Sequence, residues 1–471
     1  MKINFTKTLL AKIVLIIILI SQSIFSQVSL RDKIGQMIIV GFSGTGQTGI
    51  PALPDSLIKD LKDRNLGGVI FFAYNLENPS QIKNLTDSIN TYAKTPPFIA
   101  TDEEGGMVAR LGKANGFEKT YTAYQLGTIF HSEDSTRVTA GKMAGWLSES
   151  GINVDFAPVA DVDVNPNSPA IGYYQRSFSK ISDSVADFVE YFIEELHNKN
   201  VIATLKHFPG HGSAMTDSHL GFTDITNTWA DSELVPYKKL FAGGYDDMVM
   251  IGHLYNAHLD SIYPASLSNK VTTGLLKDSL DFNGVVISDE MTMGAISDNY
   301  SFNQAVELAI NAGVDILLYK TNLISNGYEK VSLCDSVINL VVKDVAAGEI
   351  SESRIDDAYN HIMTLKAKYL NVSSISEPIA KSNVPSDFSI TNYPNPFNPT
   401  TRIVFNVAEP THATIKIYNV TGQLISEVFN NKVNAGRFEV NFNGSNLSSG
   451  VYFAVLQTSN VLVTHKILLL K

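Results

Sequence analysis

The 471-residue sequence predicts an α/β chain: a closed (β/α)8 barrel of the TIM type, followed by a small all-β sandwich. Three observations predict it. Short apolar runs alternate eight times with helix-compatible stretches between about Ser29 and Leu370, the rhythm of a parallel sheet closed on itself. Acidic, basic and histidine side chains fall just after five of those runs, where such a barrel collects its chemistry. Beyond Leu370 the texture turns to Ser, Pro and Asn, then to period-two apolar runs separated by turn residues. An open doubly wound sheet is the alternative for the first part.

Taken in order, the expected strands are Gln36–Val40, Val69–Phe72, Phe98–Thr101, Val154–Ala157, Ala203–His207, Val249–Gly252, Val285–Ser288 and Ile316–Tyr319. They are short, apolar and rich in β-branched residues. Helix-compatible stretches between them include Asp55–Arg64, Ser80–Ala93, Ser135–Ser150, Ser182–Lys199 and Asn303–Ala312. Residues 371–390 read as a linker. Residues 391–471 read as the sandwich, with strands at Ile403–Val407, Thr414–Tyr418, Gly436–Phe442 and Gly450–Thr458. Val420-Thr421-Gly422 and Asn443-Gly444 are its turn signals.

The N-terminal residues 1–26 read as a signal peptide. Lys2, Lys7 and Lys12 precede an apolar run, Ile13 to Ile20, that is short for a membrane span, and small polar residues follow. With no Cys near the cleavage region, a lipid anchor is not expected. Removing three lysines and no acid takes the net charge from −11 to −14. So acidic a chain is unsuited to gripping phosphate backbones, and no nucleic-acid partner is expected. The single Cys334 excludes an internal disulfide. A monomer is expected.

The densest chemistry is Lys206-His207-Phe208-Pro209-Gly210-His211-Gly212, followed by Asp217-Ser218-His219. Val201 to Leu205 leads in as a buried strand, and Pro209, Gly210 and Gly212 force a loop. One Lys, three His and one Asp within fourteen residues are costly to bury without partners, which favours function over packing. Asp102, Glu103 and Glu104 follow the third strand, with Gly105 and Gly106 as the turn. Asp161 and Asp163 follow the fourth, with Arg176 later in the same loop. His253 follows the sixth strand and Asp289 the seventh.

These residues carry a resemblance. Asp102-Glu103-Glu104-Gly105-Gly106, Arg176-Ser177-Phe178, the stretch from Lys206 to His219, and Gly284 to Met293 (GVVISDEMTM) resemble glycoside hydrolase family 3, in its bacterial β-N-acetylglucosaminidase branch. The resemblance covers roughly Ser29 to Leu370. It implies Asp289 as nucleophile, Asp217 and His219 as an acid/base dyad, and Asp102, Arg176, Lys206 and His207 as the residues that hold the sugar hydroxyls. The family usually has Gln where Glu103 stands; the matched sugar-binding position is Asp102, so the change is expected to be tolerated. Tyr393-Pro394-Asn395-Pro396-Phe397-Asn398-Pro399, Tyr418 to Gly422 and Leu447 to Tyr452 resemble the sorting domain of type IX secretion. That implies passage across the outer membrane, a secretion-machinery partner, and a secreted or cell-surface location.

The chemistry is coherent. Retaining glycoside hydrolysis normally uses two carboxyl groups roughly 5–5.5 Å apart, one of them a nucleophile. Asp289 fills that role; its structural alternative is a helix cap. The other role falls to an imidazole, which gives and takes protons near neutrality, with Asp217 two residues away to orient it. A neutral imidazole does not repel an anionic acceptor, so phosphate could replace water in the second step. Arg176 and Lys206 would donate to sugar hydroxyls, the alternative being rim ion pairs. His211 and His253 stay outside the site. Asp161 with Asp163 reads as a loop-shaping pair, and no HExxH, phosphate loop or nucleotide fingerprint implies a metal or cofactor. The expected function is a secreted retaining exo-β-N-acetylglucosaminidase acting on peptidoglycan fragments or chitin oligosaccharides. A β-glucosidase or a silent glycan-binding protein are the rivals.

Overall fold

The computed structural model describes residues 28–42, 52–325, 329–370, 372, 388–393, 395–434, 436–459 and 461–470. The expected signal peptide and residues 373–387 of the expected linker lie outside them. The chain divides into two compact units, with the division after Val372.

The first unit is built on eight parallel strands: β1 (Ile38–Val40), β2 (Gly68–Ile70), β3 (Phe98–Thr101), β4 (Val154–Asp155), β5 (Thr204–Phe208), β6 (Met248–Ile251), β7 (Val285–Glu290) and β8 (Ile316–Tyr319). Their order in the sheet is β4-β3-β2-β1-β8-β7-β6-β5. The ends meet. Parallel bridges join Val154 to Ile202 and Val159 to Lys206, and the Asp155 amide donates to the Ile202 carbonyl at 2.9 Å. The barrel is closed by short bridges at this seam and by parallel ladders elsewhere, with register shifts in the β5–β6 and β7–β8 pairs.

The helices form where the apolar spacing predicts. In Ser182–His197 the buried positions include Val185, Phe188, Val189, Phe192, Ile193 and Leu196, a three-four repeat that turns one stripe to the sheet. Asn78 caps Pro79–Tyr92 and Ser301 caps Phe302–Ala312 through side-chain acceptors. Among the described residues no helix is long and apolar enough to cross a membrane.

Most boundaries shift by a residue or two, and three of the differences have a visible physical reason. Gln36 ends a helix (Leu30–Gln36) instead of opening β1; its buried amide donates to the Asn65 carbonyl and accepts from Lys366 Nζ, both at 2.7 Å. Regular pairing in β4 stops at Asp155, short of Pro158, which has no amide hydrogen for a ladder. The linker ends sooner than residue 390, because Ile390 is buried in a strand that starts at Ser389.

The second unit holds two antiparallel sheets. One contains β9 (Ser389–Tyr393), β10 (Thr400–Val407) and β13 (Gly436–Asn443); the other contains β11 (Thr411–Asn419), β12 (Leu424–Val433), β14 (Gly450–Gln457) and β15 (Leu462–Leu469). Ile403, Phe405, Ile415, Ile417, Ala454, Leu456 and Ile467 fill its core. β9, β12 and β15 were not legible as strands. None of the β12 residues is fully buried, so it lacks the strong alternation of β10 and β11.

Candidate active site

Even-numbered and odd-numbered strands do different work. Ile70 of β2, Phe156 just past β4, Met250 of β6 and Leu318 of β8 form one apolar floor, the four-residue layer that alternate strands of a barrel supply. The polar groups above it come mainly from the ends of the odd strands, with Arg176 added by the loop after β4. Asp102 follows β3, Lys206 and His207 lie in β5, and Asp289 lies in β7.

Backbone geometry delivers them. After Thr101 the chain turns at Gly105 and Gly106, with φ of 88° and 62°. A Cβ there would stand 2.6 Å from the Tyr121 carbonyl oxygen and 2.3 Å from Thr122 Cγ2 respectively, so glycine is required on both counts. After β5, a Cβ on Gly212 would overlap the Val162 carbonyl oxygen at 1.6 Å. The loops after β4 and β5 are thereby packed backbone against backbone.

One side of the cavity is a buried ionic array. Lys206 Nζ lies 2.8 Å from Asp102 Oδ1 and 2.7 Å from Glu104 Oε1. Arg176 grips the same Glu104 with a two-pronged bond, Nε to Oε2 at 2.8 Å and Nη2 to Oε1 at 2.7 Å, and Nη1 donates to the Ala170 carbonyl at 2.8 Å. Burial opposes the Glu104 charge, but Arg176 and Lys206 outweigh it and hold the carboxyl well below the usual range. Burial likewise pulls the Lys206 ammonium down, and Asp102 and Glu104 push it above its ordinary value. All four groups are therefore ionised, which in so dry a place requires the full set of hydrogen bonds seen here.

His207 sits at the edge of this array. Its Nδ1 is 2.7 Å from Asp161 Oδ2, and its Nε2 is 3.3 Å from Arg176 Nη2. Arginine can only donate, so Nε2 accepts and Nδ1–H faces Asp161. The same Asp161 carboxylate accepts the backbone amides of His207 (3.1 Å) and His211 (2.8 Å).

The opposite side is open. His219 Nδ1 is 2.7 Å from Asp217 Oδ1, and the imidazole is 62% exposed. The His219 amide also donates to Asp217 Oδ1 (2.9 Å), which holds the pair as a unit on its loop. Asp289 lies between the two sides, with Oδ1 accepting the Glu290 amide at 2.8 Å. Burial raises the Asp289 carboxyl. The imidazoles of His253, His207 and His219 pull it further the other way, to about 2, so it is anionic near neutral pH.

A single cavity of about 540 Å³ is lined by Asp102, Arg176, Lys206, His207, Asp217, His219 and Asp289, together with Glu104. Sequence reasoning gave roles to the first seven and noted Glu104 after the third strand without one; its place as the anchor of both cations depends on how the third and fifth strands stand across the barrel. A signal was present: two buried cations need two carboxylates. Asp161 shapes its loop as expected, with Oδ1 accepting the His207 and His211 amides, but not as a pair with Asp163, whose amide donates to the Ser179 carbonyl at 2.9 Å; Asp161 also orients the His207 ring. Arg176 and Lys206 are in ion pairs, but buried ones lining the cavity, not at the rim. His211 is buried with Nε2 3.1 Å from Ser218 Oγ, and burial, chiefly, pushes it down to about 4. His253 bonds Ser266 Oγ at 2.7 Å and faces Asp289.

Among the described residues one trio could hold a metal, Asp315, Asp357 and His361. Asp315 is already engaged by Arg354 at 2.5 Å and Lys277 at 3.1 Å, at the amino end of β8. It is an ion-pair cluster remote from the cavity mouth.

The fold and site thus define a (β/α)8 barrel whose carboxyl-end cavity pairs a buried carboxylate with an aspartate–imidazole dyad. Residues 29–365 match the glycosyl hydrolase family 3 N-terminal domain, and the chain belongs to that family. Residues 391–470 match the secretion system C-terminal sorting domain. The chain is 29% identical to Beta-hexosaminidase A of Pseudoalteromonas piscicida over 73% of its own length and 60% of that protein. It is 34% identical to the Beta-hexosaminidase of Tolumonas auensis over 56% of its length and 78% of that relative. A family 3 β-N-acetylglucosaminidase from Paenibacillus sp. superposes with a TM-score of 0.65 at 30% identity, covering 73% of this chain and 63% of the other. The chain therefore spans somewhat under two thirds of the length of Beta-hexosaminidase A and of the Paenibacillus protein.

Proposed function

We propose that the protein is an exported, retaining exo-β-N-acetylglucosaminidase. The observation that carries this is the convergence of a buried anionic carboxylate, an exposed Asp–His pair and a hydrogen-bonding ionic array on one cavity. Relatives called β-hexosaminidase and β-N-acetylglucosaminidase support the sugar.

In this reading Asp289 attacks the anomeric carbon as His219 gives its proton to the glycosidic oxygen. A glycosyl ester forms and the sugar–oxygen bond breaks. His219, now neutral, takes a proton from water, which attacks the same carbon and releases Asp289. Asp217 orients the ring and stabilises its cationic form. Asp102, Arg176, Lys206 and His207 hold the sugar hydroxyls over the apolar floor. The substrates are N-acetylglucosamine-ended glycans, such as chitin oligosaccharides or peptidoglycan fragments. The sorting domain, with an N-terminal signal peptide, would bring the enzyme through the secretion machinery to the cell surface or medium.

The test is hydrolysis of aryl β-N-acetylglucosaminide against aryl β-glucoside. Wild type should strongly prefer the N-acetyl sugar, and Asp289→Ala should abolish turnover. Under His219→Ala, intact mass should show one N-acetylhexosaminyl unit trapped on the peptide containing Asp289. Turnover of neither sugar by the wild type would sink the proposal.

A further inference from the structure

Beneath the turn that carries Asp102 sit two carboxyl groups with no cation of their own. Glu103 and Asp155 are both 0% exposed. They come from neighbouring strands, since Thr101 and Asp155 are register partners in the β3–β4 ladder. Asp155 Oδ1 accepts the Glu103 amide at 2.9 Å. Glu103 Oε2 accepts the amides of Arg110 and Leu111, each at 2.7 Å. Glu103 thereby ties the far end of the loop 102–111 back to its start, and that loop bears Asp102, Glu104 and Arg110.

The remaining oxygens, Glu103 Oε1 and Asp155 Oδ2, are buried without a hydrogen-bond partner. The charged groups facing Glu103 are Arg110 and Asp102; those facing Asp155 are Glu103, Lys206 and Asp102. Both cations point elsewhere. The Arg110 guanidinium reaches Asp102 at 3.4 Å, and Lys206 serves Asp102 and Glu104. Two neighbouring dry carboxylates without a counter-ion repel each other and lose hydration, so at least one must keep its proton.

We propose that Glu103 is a positioning residue, that the buried Glu103–Asp155 pair retains a shared proton which lets Glu103 lock the loop bearing Asp102 and Glu104, and that loss of this proton loosens the loop and weakens sugar binding. The inference rests on the sugar-binding reading of the cavity. A neutral carboxyl offers the two amides a carbonyl oxygen, as a glutamine would. Burial pushes the Glu103 carboxyl up to about 8 and the Asp155 carboxyl well above its ordinary value.

The experiment is calorimetric titration of N-acetylglucosamine into wild type and Glu103→Gln from pH 6 to 9.5, in buffers of different ionisation heat. For wild type the Kd should be flat below about pH 7.5 and rise toward tenfold per pH unit above about 8, and binding near pH 8 should take up a proton. Glu103→Gln should bind with a flat profile and no uptake from that group. The same profile and uptake in both proteins would overturn the proposal. Thermal unfolding separates this inference from the sugar reading. A carboxyl raised in the folded state contributes stability that is lost as pH climbs toward its folded value. The Tm advantage of Glu103→Gln over wild type should therefore grow from pH 5 to pH 8. If no sugar binds but the advantage grows, the retained proton stands and the sugar reading fails; an equal Tm difference at both pH values overturns the retained proton.

Discussion

The two sides of the cavity are opposites in solvation. On one side, Lys206 and Glu104 expose 2% and 4% of their side chains, and every charge is matched by another. On the other, His219 exposes 62% and has one partner, Asp217. The difference fits the tasks proposed for them. Groups that hold a substrate gain strength from a low dielectric and fixed geometry. A group that must give a proton and recover one from water gains from access to solvent. Asp289 is buried too, and its carboxyl is lowered by the surroundings, where the Glu290 amide donates to it.

The comparison can be broken or sharpened by substitution. The largest effect is expected at Asp289: Asp289→Ala should lower kcat by on the order of 10⁴ to 10⁶ with an unchanged circular dichroism spectrum. On the exposed side, His219→Ala should cost roughly 10² to 10⁴ in kcat for a sugar leaving group and far less for an activated aryl one. KM should stay near the wild-type value, and a large KM change would mean that His219 also holds substrate. On the buried side, Glu104→Gln should cost about 3–5 kcal/mol of stability, because it leaves Arg176 and Lys206 in the dry interior with one carboxylate fewer. A urea midpoint equal to wild type would remove that argument.

The Glu104 effect should also carry a pH signature. Its carboxyl is lowered in the folded state, so its contribution is full above the ordinary carboxylate value of about 4.3 and fades as pH falls below it. The gap in urea midpoint between wild type and Glu104→Gln should be constant from pH 7 to 5 and narrow by pH 3. The smallest change belongs to Leu220, next to His219 and 85% exposed. Leu220→Ala should shift stability by less than about 0.5 kcal/mol, as surface changes do.

Much of this was legible in the chain. Eight apolar runs gave the barrel because parallel strands covered on both faces must be apolar along their whole length. The contact between Asp217 and His219, the pair the resemblance singled out, was legible because they are two residues apart on one loop and need no tertiary partner. Lys206, His207 and Asp289 could be nominated because they lie in or at the ends of strands whose positions the hydropathy had already placed. In the sandwich, β10 and β11 announced themselves by alternation, whereas β12, without a fully buried face, did not.

By itself, then, the sequence determined which residues would stand at the open end of the barrel, since strand phase decides which side chains leave at that end. The tertiary structure alone decided their partners. Glu104 is 72 residues from Arg176, and Asp161 is 46 from His207. Nothing in local spacing distinguishes Asp161, which orients a ring, from Asp163, which does not. Such pairings depend on the stagger of strands closing around an axis and on which carboxylates are left dry when they do. That is a property of the closed barrel, where desolvation makes the choice of partner decisive.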